Sequence, residues 1–183
     1  MKKESNPRYV LRLTLTLFLI TALVAAALAA VNAVTQPRIQ SAREAKTQAA
    51  IEAVLPGGGE EIRDFPDPTG TVKAVYGSHT GYAIQVEPSG FGGPIIMMVG
   101  VSKEGTVLGI SIVAQTETAG LGAVCGAGTS AGQQFRDQFA GQSGALAVNK
   151  DGGSIDAITG ATITSRAVTA GVNTALKTAE GLK

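Results

Sequence analysis

Tryptophan is absent, and cysteine and histidine occur once each, as Cys125 and His79. A lone cysteine excludes an intramolecular disulfide. One cysteine with one histidine offers no conventional metal-ligand set, so no metal is expected. Charge is scarce as well: 16 % of residues are Asp, Glu, Lys or Arg, low for a soluble domain. After Val34 there are 11 basic and 13 acidic residues. That balance excludes the electrostatic footprint of a nucleic-acid binder.

The charge that is missing is missing in one place. Residues 13–34 form a run of 22 without a single charge. As a helix the run spans roughly 33 Å at 1.5 Å per residue. A hydrocarbon core is about 30 Å thick, so the run crosses it once. Lys2, Lys3, Arg8 and Arg12 precede it, opposed only by Glu4. The positive-inside rule therefore keeps residues 1–12 cytoplasmic and puts everything after residue 34 outside. A cleaved signal peptide is the rival reading, given the basic start and the Ala-rich end at 25–33. The run exceeds the usual signal core of about 7–15 residues, which favours a retained anchor.

Pro37 is expected to end or kink the membrane helix. Residues 38–55 then read as a second helix, with Ile39, Ala42, Ala45, Ala49 and Ala53 at helical spacing, stopped by Pro56 and three glycines. Residues 35–59 would connect anchor and domain. Strands are expected at 71–76, 82–86, 95–102 and 106–115, with two short ones at 146–148 and 154–158. A short helix over 133–139 puts Phe135 and Phe139 one turn apart. Residues 165–182 read as a terminal amphipathic helix. The fold class is α+β: one N-terminal transmembrane helix followed by one compact extracytoplasmic domain over 60–183.

Three segments carry candidate chemistry. In Asp156-Ala157-Ile158-Thr159-Gly160-Ala161-Thr162-Ile163-Thr164-Ser165 a strand ends and hydroxyl residues cluster before a helix. Free N–H groups at a helix start suit a phosphate, and Thr164 or Ser165 can cap the helix. By itself the cluster also reads as an ordinary capped turn. Residues 116–122, Thr-Glu-Thr-Ala-Gly-Leu-Gly, form a glycine turn after a strand. Residues 90–96, Gly-Phe-Gly-Gly-Pro-Ile-Ile, open a core strand.

The string Asp-x-x-Thr-Gly-Ala-Thr ending at Thr162 resembles the flavin-attachment motif of the G subunits of Rnf ion-translocating electron-transport complexes. It is also similar to that of the C subunits of the sodium-pumping NADH:quinone oxidoreductases. The resemblance implies FMN held on Thr162 through a phosphoester, attached by a separate flavin transferase. Asp156 would then serve recognition by that transferase or cap the turn. Residues 117–122 resemble the family's Glu-Thr-Pro-Gly-Leu-Gly loop beside the flavin, with Ala119 in place of the proline. The resemblance makes Glu117, Thr118, Leu121, Gly122, Thr159, Gly160, Ala161 and Thr164 further cofactor-binding candidates, with no catalytic residue beyond the flavin. Phe91 either shields the ring or sits in the core, and Arg166 either pairs with the phosphate or is a surface charge. Cys125 reads as a small packed side chain. The implied function is that of an electron-carrier subunit of a membrane ferredoxin:NAD oxidoreductase coupled to Na+ or H+ translocation. It would work with other membrane and flavin subunits and not alone. The alternatives are the quinone-reductase subunit, a free-standing flavin shuttle, or a non-enzymatic anchored sensor or structural module.

Overall fold

The computed structural model describes residues 7–182. The chain divides into two compact units, residues 1–45 and 46–183. Lys2, Lys3 and Glu4, on which the orientation argument leans, lie outside the described residues.

The first unit holds most of helix α1 (Pro7–Val54), the one helix among the described residues long and apolar enough to cross a membrane. From Tyr9 to Ile39 its large apolar side chains are exposed, as a lipid-facing surface requires. Its threonines do not disturb that surface. The hydroxyls of Thr14, Thr16, Thr21 and Thr35 each donate to the carbonyl four residues back, at 2.8–3.0 Å. One expectation needs correcting: Pro37 does not separate two helices but lies inside a single one. A proline removes one backbone bond and crowds one carbonyl. In a 48-residue helix that loss is local, and the Thr35 hydroxyl bonds to Val31 and Asn32 in the turn before it. The stop comes where the next breakers stand. Beyond Val54, Gly57 and Gly58 take φ of 88° and 66°, left-handed values that end the helix.

The second unit is built on a five-stranded antiparallel sheet in meander order: β1 (Glu60–Ile62), β2 (Val72–Gly77), β3 (Gly81–Val86), β4 (Ile96–Ser102) and β5 (Val107–Ala114). Strand β4, Ile-Met-Met-Val-Gly-Val-Ser, is buried on both faces. Met97, Val99 and Val101 point into the main core with Val168, Val172 and Leu176 of α3 (Thr162–Glu180). Met98 points the other way, onto Ala50, Ile51, Val54 and Leu55 at the end of α1. This two-sided cover explains why the strand reads as nearly continuous apolar sequence. Gly100 is required there, because a Cβ would run into the carbonyl of Val54.

Two further expectations are corrected. Residues 146–148 and 154–158 are not strands. They make a single parallel bridge, Val148 to Ile155, around a 3-10 turn at Asn149–Asp151. Gly152, at φ 82°, turns the chain there, and a Cβ on Gly153 would strike the Ala147 backbone. Helix α2 (Ser130–Asp137) begins three residues earlier than expected, because Thr129 caps it by accepting from the Gly132 N–H. Phe139 falls just past its end and still meets Phe135 edge-to-face, with centroids 5.5 Å apart. Strand β1 carries no apolar pattern of its own, so the sequence does not announce it.

Candidate functional site

The start of α3 determines the site. The helix begins at Thr162, three residues ahead of the sequence expectation, and Ala161 is its N-cap with no side-chain capping bond. Ser165, expected as a cap, lies inside the first turn. Its N–H makes the first helical bond, to the Ala161 carbonyl at 3.0 Å. Its hydroxyl donates to that same carbonyl and accepts from the Ile158 N–H, both at 3.0 Å. The N–H groups of Thr162, Ile163 and Thr164 precede that first bond and so have no partner within the helix. The first turn holds three hydroxyls, and their fates differ. Ser165 is tied as described. Thr164, 1 % exposed, donates to Glu117 Oε2 at 2.5 Å. Thr162 is half-buried, and among the described residues its hydroxyl has no partner.

Glu117 joins the three candidate segments. One oxygen accepts from the Gly92 N–H at 2.8 Å, and the other accepts from Thr164. Thr116 adds a bond from its hydroxyl to the Gly92 carbonyl at 3.0 Å. The segments 90–96, 116–122 and 156–165 therefore meet, although they lie far apart in sequence. Two turns of the same build face each other at this junction. In 118–121 the Leu121 N–H bonds to the Thr118 carbonyl; in 158–161 the Ala161 N–H bonds to the Ile158 carbonyl. The third residue of each is a glycine at φ 76°, Gly120 and Gly160, a conformation that disfavours any side chain. Ala119 stands at the second position, where proline is favoured. The turn forms without it.

The junction encloses a cleft of about 380 Å³ lined by Glu117, Thr118, Leu121, Gly122, Gly160, Ala161 and Thr162, together with Phe91 and Ile163. Seven of the nine expected binding residues thus line one cavity. The other two do not: the Thr164 hydroxyl is taken by Glu117, and Thr159 faces a different, wider cleft. Ile163 is an addition to the expected set; an apolar residue at the second helical position is the only signal the sequence offers for it. In the second unit the exposed large apolar side chains among the described residues are Phe91, Leu108, Leu121 and Ile163, and three of these four rim this cleft. Phe91, at 69 % exposed, is therefore not a core aromatic. A contiguous apolar rim beside free N–H donors is the composition of a ligand site. Larger clefts exist, but the one between the end of α1 and β5 contains none of the motif residues.

The charged neighbours are accounted for. Arg166 does not reach toward the cleft; its guanidinium is held by Asp151 through two bonds, at 2.7 and 2.5 Å. That pairing keeps the Asp151 carboxyl below the usual carboxylate range. Asp156 is exposed in the wider cleft and accepts from the Asn149 amide at 2.9 Å. Cys125 is fully buried, its thiol pushed up to about 11 by burial and, after that, by the carboxylate of Glu117. Arg136 pins the adjacent 3-10 turn, Gly122–Gly126, by donating to the Cys125 and Ala127 carbonyls. Among the described residues no cluster of His, Cys, Asp and Glu could hold a metal ion.

Two families match the chain, one for each end. Residues 90–177, which include all three segments but not the first three strands, match the FMN-binding domain family, and residues 1–54 match the RnfG N-terminal region. The chain is 33 % identical to the G subunit of the Na(+)-translocating ferredoxin:NAD(+) oxidoreductase complex of Acetobacterium woodii, over 99 % of this chain and 97 % of that one. It is 32 % identical to the G subunit of the proton-translocating ferredoxin:NAD(+) oxidoreductase complex of Clostridium ljungdahlii, over 97 % and 95 %. It is 34 % identical to the G subunit of the ion-translocating oxidoreductase complex of Stutzerimonas stutzeri, over 89 % and 78 %. With one helix fit to be a membrane anchor and an α+β domain that matches an FMN-binding family, this chain belongs to the RnfG family, the G subunits of ion-translocating oxidoreductase complexes.

Proposed function

We propose that the chain is an electron-carrier subunit of a ferredoxin:NAD+ oxidoreductase complex and holds FMN as a phosphoester on Thr162. The observation that carries this reading is the unengaged hydroxyl of Thr162, set at an uncapped helix start on the wall of an apolar-rimmed cleft. FMN, when bound, supplies one- and two-electron chemistry. This chain's residues do the rest. The N–H groups of Thr162, Ile163 and Thr164, with the partial positive charge of the helix start, favour a phosphate. Phe91, Leu121 and Ile163 offer apolar cover to a ring and limit water. Glu117 holds the three loops at fixed spacing.

The one carboxylate that lines the cleft, Glu117, is bonded to the Gly92 N–H and the Thr164 hydroxyl and not to Thr162. A threonine hydroxyl is a weak nucleophile without activation. Attachment is therefore the work of a separate flavin transferase. The Thr162 oxygen bonds to the flavin-side phosphorus of FAD, the pyrophosphate link breaks, AMP leaves, and the hydroxyl proton passes to a base of the transferase. In this reading residues 1–12 are cytoplasmic, 13–34 cross the membrane, 35–59 connect, and 60–183 form the FMN domain outside. The coupled ion is Na+ or H+; the relatives' names carry both.

The test is ultraviolet fluorescence of the protein band in a denaturing gel, from a host that contains a flavin transferase. The wild-type band is expected to fluoresce and Thr162→Val to be dark. A dark wild-type band rejects covalent attachment. Protease protection in oriented vesicles checks the topology, and digestion of the domain only from the cytoplasmic side rejects it.

A further inference from the structure

We propose that Glu117 lowers the reduction potential of the bound flavin by keeping a buried carboxylate beside the cleft, acting through its charge while its oxygens clasp the loops. The inference rests on the flavin reading of the cleft given above. Among the described residues Glu117 is the only charged side chain lining that cleft, and it is 8 % exposed. Arg166, one helical turn beyond Thr162, is paired with Asp151, and Arg136 is engaged with backbone carbonyls. No lining cation offsets the carboxylate; only the start of α3 does so in part.

Each Glu117 oxygen accepts one bond from the protein, from the Gly92 N–H and from the Thr164 hydroxyl, which fixes the carboxylate in place beside the cleft. The sequence around it makes room for this group. A Cβ at Gly90 or at Gly122 would run into the Glu117 carboxylate. Its field already reaches a neighbour: after burial, Glu117 is the main cause of the raised Cys125 thiol. Negative charge beside a ring disfavours the arrival of electrons on it, and the effect is larger where water is excluded.

Glutamine separates the charge from the clasp. Its carbonyl oxygen can accept from Gly92 while its amide donates to the Thr164 oxygen, so the loops stay joined. The experiment loads full-length wild type, Glu117→Gln and Glu117→Asp with FMN in a host containing a flavin transferase. Loading is read by in-gel fluorescence. The midpoint potential is read by dithionite titration against a reference dye. Compared per bound flavin, Glu117→Gln is expected to shift the two-electron equilibrium about tenfold toward reduction, about 30 mV more positive. Glu117→Asp, which keeps the charge, is expected to stay near the wild-type potential. A fluorescent Glu117→Gln at the wild-type potential overturns the proposal. So does an aspartate variant shifted as far as the glutamine variant, and so does a Glu117→Gln band that is dark beside a fluorescent wild type. If the wild-type band itself is dark, the flavin reading fails first and this inference falls with it.

Discussion

Hydroxyl residues in α1 and at the start of α3 share a chemistry and differ in outcome. In α1 the hydroxyls of Thr14, Thr16, Thr21 and Thr35 bond to the carbonyl four residues back. Within α3, Ser165, Thr169 and Thr174 do the same. That bond is the usual outcome for a hydroxyl inside a helix, because the carbonyl is in reach, although the fully buried Thr178 hydroxyl of α3 has no partner among the described residues. Thr162 is the first residue of its helix, so the residue four back, Ile158, lies in the preceding turn, where its carbonyl accepts the Ala161 N–H. Starting the helix on Thr162 takes the usual carbonyl partner away from its hydroxyl. Thr178 is free as well but sealed in the core, so what distinguishes Thr162 is a free hydroxyl at a helix start that opens on the cleft.

Exchanging members of this comparison gives the largest expected effect. Thr162→Val should abolish in-gel flavin fluorescence, while Thr169→Val, which removes a hydroxyl bonded within the helix, should leave it unchanged. Equal loss in both would mean that the helix start confers nothing.

Next in size is the contrast between two buried hydroxyls of α3. Thr164→Val leaves a Glu117 oxygen buried without its donor, which is expected to cost about 1–3 kcal/mol. Thr169→Val removes a hydroxyl together with its own bond and should cost about 1 kcal/mol or less. Denaturant unfolding of the two variants checks the order.

A smaller effect concerns the twin turns. Ala119→Pro should stabilise by about 0.4–1 kcal/mol, by restricting the unfolded chain at a turn position that suits proline. A fall in melting temperature would show that the 118–121 turn departs from proline geometry.

The smallest effect is electrostatic. Arg166 holds the Asp151 carboxyl low, so the pair's contribution is present above the ordinary carboxylate range and is lost as pH falls through the lowered folded value. Asp151→Asn should flatten the acid limb of the melting-temperature profile slightly, since both side chains are largely exposed. An unchanged acid limb would mean the pair contributes nothing.

Much of the molecule is legible in the sequence, and unevenly so. The anchor is readable from 22 uncharged residues, since lipid selects on composition and length. The sheet is readable where apolar runs are bounded by glycine turns, as at β4 and β5. Helix bounds are not, because they depend on single bonds: Ser165 reads as a cap until its N–H is seen on Ala161. Residues 146–158 have strand-like composition but no partner strand beside them. Seven of the residues lining the cleft are among those the resemblance names, and Phe91 fits two readings until its exposure is known. The role of Glu117 as a clasp is hidden, because it depends on bonds to Gly92, 25 residues away, and to Thr164, 47 residues away.

Those separations bear on the order of events in the life of the molecule. The clasp joins segments that only the folded sheet and α3 bring together, so it is complete only in the folded domain. An unfinished chain has Thr162 in its sequence but lacks the helix start and the walls around it. On the reading proposed here, the cofactor is added to a domain that has already folded, and a flavin on the chain then marks a molecule that has completed its own assembly.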